Sequence, residues 1–374
     1  MLEDDFRIPI FDTCFNLFGG RRNFAKLLGA SYTAVSEWYH GKKKRSKTKT
    51  TRQFCPLWVI EKINRIFIDQ NLENIANEIQ KNITEYRSHS GRSVINPNLP
   101  IPEKPELMNL LAHILGDGCA LRGSMPYYSN TCEELRNEFL NDLKIFDEVE
   151  CFERIQQNHT PRVMFPTVIV HVLEGAYPID LGKKRIFNPS FLFELPEKML
   201  MAFLRGFFDD EGHVHDSNIQ VCSQNKKFLD LLKKLLDYRL NIPTSDIFEY
   251  PKYFRMDGSI SEAYYIDIYS RGIPKFSKCI GFTHPKKQRL LDYLNRRQNR
   301  GWKFPDQKSI RKAIIEALRE NNHLTARELS IKTLITARNL RTSYLYPMEN
   351  EGILLKVGKM KGKGGPVLWG LKKQ

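Results

Sequence analysis

The sequence predicts an α+β protein in which one α-β-β-α-β-β-α unit occurs twice. An all-α segment precedes the pair and a small mixed segment follows it. Three observations carry this expectation. Two nine-residue segments match, Leu110–Gly118 (LLAHILGDG) and Leu204–Gly212 (LRGFFDDEG), each behind an apolar lead-in and each ending in an acid and a glycine. Their acids, Asp117 and Glu211, stand 94 positions apart, the length of one small domain. The 374 residues include 58 Lys and Arg against 43 Asp and Glu, a net charge of +15, which points to a polyanionic partner.

Residues 1–87 read as helical. Within them, Arg21–His40 has the pattern of two short helices around a turn. Ala25 is the small residue at a helix crossing, Gly29 supplies the turn, where a positive φ is often needed, and Ser31 is placed to cap the second helix. Phe24, Leu28, Val35 and Trp38 form the apolar side. The segment resembles repressor-type helix-turn-helix domains. That resemblance aims Ser31, Tyr32, Thr33 and Ser36 at base edges or phosphates in the major groove. A basic run follows, in which Lys42, Lys43, Lys44 and Arg45 suit phosphate contacts. Residues 88–105, rich in Ser, Asn and Pro, read as a linker.

Residues 106–198 and 199–300 are the two repeats. On a helix, residues four apart share a face. Ala112 and Gly116 therefore make a ridge of small side chains in the first copy, and Gly206 and Asp210 take the same places in the second. Such ridges let two helices touch closely. The terminal glycines suit a helix stop. Two such helices side by side present Asp117 and Glu211 together, at helix ends that are already electronegative. That crowding favours a hard divalent cation, whose shell phosphate oxygens can complete.

The pair resembles the LAGLIDADG (dodecapeptide) motifs of homing endonucleases, over roughly residues 106–297. The first copy departs from the pattern at His113, where an apolar residue is usual, and keeps the Gly-Asp-Gly ending. The resemblance implies two pseudo-symmetric halves whose curved antiparallel sheets form a saddle on double-stranded DNA. It implies Mg²⁺ or Mn²⁺ as cofactor, held by Asp117, Glu211, Gly116 and Asp210, with Asp117 and Glu211 as the catalytic acids. It also implies one lysine per repeat near the scissile phosphates. Lys184 in KKRIFNPSFL and Lys287 in IGFTHPKKQRLL are the candidates, with Lys183, Lys278 and Lys286 as neighbours. Each acid then serves mainly one strand, and the product is a double-strand break.

Strand patterns fill the repeats. HVHDSNIQVCS after Gly212 and two segments within residues 246–270 read as hairpins, and VMFPTVIVHV (Val163–Val172) is the clearest strand of the first repeat. His213 and His215 alternate as on a strand, which makes them sheet-surface residues rather than metal ligands.

Residues 301–374 resemble a winged helix. Ile310–Asn321 reads as a helix, LTARELSIK as a second with Thr325 as its cap, and the next segment as a recognition helix ending near Gly352. Two strands around a Gly/Lys tip follow. Residues 300–374 hold 16 basic and 6 acidic side chains, two-thirds of the net charge. Arg338, Arg341, Lys359, Lys361 and Lys363 are the DNA-facing candidates there.

No apolar run reaches the length of a membrane-spanning helix, which argues against a membrane partner, and the N-terminus lacks a signal-peptide pattern. Seven cysteines without a CxxC pair argue against structural zinc and for a reducing setting, read here as cytoplasmic and nucleoid-associated. Two internal repeats satisfy their own pseudo-twofold, which predicts a monomer. Three activities fit: a site-specific DNA endonuclease, a catalytically inactive transcriptional regulator on the same fold, and an intron RNA maturase. The first is expected free-standing, because Met1 and a Lys-Lys-Gln ending do not match intein splice residues. The two acids favour the nuclease, and the two flanking modules favour the regulator.

Overall fold

The computed structural model describes residues 2, 4–44, 50–52, 55–88, 92–98, 101–155, 160–183, 189–251, 253–254, 260–299, 306–359 and 365–372. It forms two compact units. One contains residues 1–107, 118–131 and 136–177, and the other residues 108–117, 132–135 and 178–374. No helix among the described residues is long and apolar enough to cross a membrane.

The N-terminal helices Asp4–Leu17, Arg21–Leu28, Tyr32–His40, Leu57–Asp69 and Glu73–Lys81 close around Phe11, Phe24, Val35, Ile63 and Phe67. Gly29 takes φ 71° between the second and third helices, a left-handed conformation that suits glycine. Ser31 Oγ accepts the Ala34 N–H at 3.1 Å and caps the third helix. The basic run begins as a strand, in which Lys42–Lys44 pairs antiparallel with Thr50–Arg52. Ser93–Ile95, inside the stretch expected to be a linker, is the middle strand between Glu85–Arg87 and Glu148–Val149. Its Val94 is buried, which a linker reading based on composition alone does not anticipate.

The two repeats share a strand order. The first sheet contains Gly118–Cys119, Tyr127–Ser129, Phe152–Ile155 and Pro161–Met164, in the order first-second-fourth-third. The second contains Gly212–Val214, Ile219–Ser223, Phe248–Glu249 and Tyr264–Ile268, in the same order. A small hairpin, Tyr253–Phe254 with Ile260–Ser261, is inserted between the third and fourth strands of the second repeat. The helices of the first repeat are Pro105–Leu115, Glu133–Leu143 and Thr167–Ala176. Those of the second are Glu197–Glu211, Lys226–Lys234, Ile273–Cys279 and Pro285–Asn299.

One strand expectation is overturned. Val163–Val172 begins as strand, but the strand ends at Met164 and Thr167–Ala176 is helical. Pro166 sits at the N-cap in extended conformation, where its missing N–H costs nothing. Val168, Ile169, Val170 and Leu173 are all buried, so packing overrides the β-propensity of the β-branched Val168, Ile169 and Val170. The motif glycine also acts differently from the expectation. Gly212 has φ −80°, not a left-handed stop, and a Cβ there would lie 2.5 Å from the Phe208 carbonyl oxygen. It is required by space rather than by backbone conformation.

After the second repeat come Gln307–Asn321, the short strand His323–Thr325, Ala326–Thr333, a helical stretch over 337–350, and the strands Leu354–Lys359 and Val367–Leu371. The last strand lies between the other two. Thr325 and Glu328 form a reciprocal capping box at the start of Ala326–Thr333. Ile314, Leu329, Leu340, Leu345 and Trp369 form this module's core.

Candidate active site at the paired motif helices

The helices Pro105–Leu115 and Glu197–Glu211 pack through their small residues. A Cβ at Gly206 would lie 2.6 Å from Asn109 Oδ1 and 3.1 Å from the Ala112 Cβ. At Gly116 it would lie 2.6 Å from the Asp210 Cβ. The four ridge residues, Ala112, Gly116, Gly206 and Asp210, therefore meet in two pairs across the interface.

The acidic run at the end of the second helix divides its work. Successive helical residues point about 100° apart, so three adjacent acids cannot face the same way. Asp209 is buried and accepts the backbone N–H groups of Thr283 and His284, both at 2.9 Å. It thereby holds the entry to the helix Pro285–Asn299. Asp210 turns into the helix interface, where its side chain is fully buried. Its Oδ2 lies 3.1 Å from His113 Nδ1 and accepts the Asp117 backbone N–H at 3.3 Å. Glu211 is partly exposed and Asp117 exposed, each at the end of its motif helix.

Lys287, on the first turn of Pro285–Asn299, reaches back to the same helix end. Its ammonium donates to the carbonyl oxygens of Phe208 at 3.3 Å, Asp209 at 2.5 Å and Asp210 at 3.4 Å. These last-turn carbonyls include groups that a helix leaves without internal partners, and a cation there meets the negative end of the helix dipole. Burial pushes the Lys287 pKa below its ordinary 10.5, against the opposing pull of Asp209, Asp210, Asp117 and Glu211. Burial, reinforced by the Lys287 charge, also lowers the pKa values of His213 and His284. A cation thus stands within the field of both motif acids. Among the described residues no group of three or more His, Cys, Asp or Glu side chains converges as a ready metal cage. An acid pair of this kind suits a hard cation that completes its shell with phosphate and water oxygens.

The solvent side of the second sheet carries a polar network. Asp267 accepts from Asn218 Nδ2 at 2.5 Å and from Gln220 Nε2 at 3.1 Å, and Gln220 Oε1 accepts from the Tyr250 hydroxyl at 2.6 Å. His213 pairs with Gln220 in the strand register, on the exposed face.

The remaining candidates lie elsewhere. Ser31, Tyr32 and Thr33 are exposed at the start of their helix, whereas Ser36 is half-buried and accepts from Arg21 at 3.2 Å. Arg338, Arg341 and Lys359 are exposed on the C-terminal module. Lys42, Lys43 and Lys44 have a described backbone only, and Lys184, Arg45, Lys361 and Lys363 fall outside the described residues. Sequence reasoning missed the roles of His113 and Asp209. The signals were present in the one irregular motif position and in the run of three acids.

Residues 198–269, which hold the second motif helix and its sheet, match the LAGLIDADG-like domain. The chain is 28% identical over 208 residues to translation initiation factor IF-2 of Methanocaldococcus jannaschii, covering 53% of this chain and 17% of that protein. It is 27% identical over 202 residues to elongation factor 2 of Methanopyrus kandleri, covering 52% of this chain and 14% of that protein. The matched part thus spans less than a fifth of either relative. Among solved structures, I-DmoI in complex with DNA and Ca aligns at 15% identity and TM-score 0.35, over 50% of this chain and 97% of that one. Full-length WhiA from Thermatoga maritima aligns at 17% identity and TM-score 0.36, over 66% and 90%.

Proposed function

We propose that this chain is a site-specific, metal-dependent endonuclease of double-stranded DNA, of the LAGLIDADG type. The observation that supports the reading is the close packing of the two helices whose ends carry Asp117 and Glu211, with the Lys287 charge interacting with both acids. Mg²⁺ or Mn²⁺ would be held by Asp117 and Glu211, with the backbone near Gly116 and Asp210. Once bound, it would activate water and stabilise charge on the phosphate oxygens.

The chain's own residues supply the rest. The Asp210 carboxylate fixes the Asp117 backbone, so the first acid is held relative to the second helix. Lys287 compensates charge at the crowded helix end and, in this reading, stabilises the charge that develops on the scissile phosphate through its field. Lys184 has the corresponding role in the first repeat. The exposed sheet faces contact base edges and backbone, and the exposed Ser31, Tyr32 and Thr33 and the C-terminal arginines extend the contact. The molecule acts as a monomer in the cytoplasm.

A second reading, a DNA-binding regulator without cleavage, draws support from the helical module before the repeats and the basic module after them. A cleavage selection separates the two. The protein is incubated with Mg²⁺ and a randomised duplex library, beside an Asp117→Ala/Glu211→Ala variant, and new DNA ends are sequenced. A recurrent long site cut by wild type alone supports the nuclease. Enrichment of bound DNA without new ends supports the regulator.

A further inference from the structure

The turn of the second-repeat hairpin and the C-terminal module enclose a groove of about 520 Å³, within the usual range of ligand sites. His215, Asp216 and Ser217 line it from the hairpin, and Arg327, Arg341, Tyr346 and Trp369 from the module. Its walls are tied together, because Arg327 Nη2 donates to the Val214 carbonyl oxygen at 2.7 Å. Arg341 Nε donates to the Ala337 carbonyl oxygen at 3.2 Å, and among the described residues neither guanidinium has a carboxylate partner. Trp369 is 1% exposed, and its buried indole Nε1 has no hydrogen-bond partner among the described residues. An indole N–H can only donate, and a buried donor seeks an acceptor. Asp216 turns its backbone carbonyl to Arg297, at 2.5 Å.

We propose that this groove binds a phosphodiester group of the DNA strand that leaves the second-repeat sheet, joining sheet and C-terminal module into one nucleic-acid surface. Guanidinium groups match phosphate oxygens in a planar, two-point geometry. The exposed Tyr346 ring holds the Lys356 ammonium 5.1 Å from its centroid, which adds a third cation at the groove's edge. The inference rests on the DNA-binding part of the proposed function. A free nucleotide presents the same chemistry, and the test separates the two sources.

The test uses the whole chain. Binding to one duplex is measured from low to moderate salt for wild type, Arg341→Gln and Ser217→Glu, and each protein is also titrated with AMP by calorimetry. A groove that holds DNA predicts weaker duplex binding in both variants. It also predicts a salt slope shallower by about 0.9 for Arg341→Gln, the change expected when one phosphate is no longer neutralised, with no AMP binding. AMP binding to wild type that both variants lose supports the site with a free nucleotide as its occupant. Duplex and AMP behaviour unchanged in either variant overturns the proposal. Wild type that binds no duplex refutes the proposed function instead, and the AMP titration alone then decides the groove.

Discussion

His113 and Asp210, the histidine in the first motif and the carboxylate facing Gly116 from the second, are partners at 3.1 Å with both side chains fully buried. Each alone is a poor choice for a helix interface, because a buried polar group needs a partner. Together they pair, His113 Nδ1 with Asp210 Oδ2, and Asp210 passes the constraint on to the Asp117 backbone. Asp210→Ala should lower stability by about 3 kcal/mol, as removal of one member of a buried pair does. His113→Leu should cost a comparable amount, and the double variant less than the sum. Chemical denaturation of the four proteins measures the coupling, and strict additivity contradicts it.

Gly206→Ala should destabilise by about 1–3 kcal/mol, because its Cβ would meet Asn109 and Ala112 across the interface. Gly175→Ala, within the helix Thr167–Ala176, meets nothing within 4 Å and should be neutral or stabilising by up to about 1 kcal/mol. Thermal melts of the two variants distinguish packing from helix propensity.

Lys287 supplies a pH signature. Its folded pKa lies below the ordinary 10.5 of the unfolded chain, chiefly through burial. Between those two values the unfolded chain binds more protons, so stability rises with pH across that window. Each unit of depression corresponds to about 1.4 kcal/mol at the upper end. Urea denaturation at pH values rising to 10.5 should show this rise in wild type and lose it in Lys287→Met.

The N-terminal module makes a chemical prediction. Cys14 is fully buried in its core, and burial pushes its thiol pKa up to about 12. The thiolate is the reactive form, so Cys14 should resist alkylation at pH 8 in the folded protein and react on unfolding. Mass mapping after iodoacetamide treatment reads this directly. Rapid labelling of native Cys14 contradicts the packing of that core.

Much of the arrangement was legible because small residues and acids recur at fixed spacing. The helix pair, the turn at Gly29 and the caps at Ser31 and Thr325 follow from local chemistry that a sequence states openly. Residues 167–176 were misread because their branched side chains favour strands, while burial of four of them is a property of the packed unit. Ser93–Ile95 escaped because its pairing partner includes Glu148–Val149, far along the chain. The different fates of Asp209, Asp210 and Glu211 depend on which way each helix position faces, and only packing against His113 and Thr283 decides that.

The most direct test of the central claim compares wild type with the Asp117→Ala/Glu211→Ala variant on a DNA site recovered by selection, with Mg²⁺ present. The placement of these acids predicts double-strand breaks by wild type, none by the variant, and duplex affinity in the variant within about threefold, ~0.7 kcal/mol, of wild type. Metal-dependent cutting that persists in the double variant contradicts the assignment of Asp117 and Glu211 as the site.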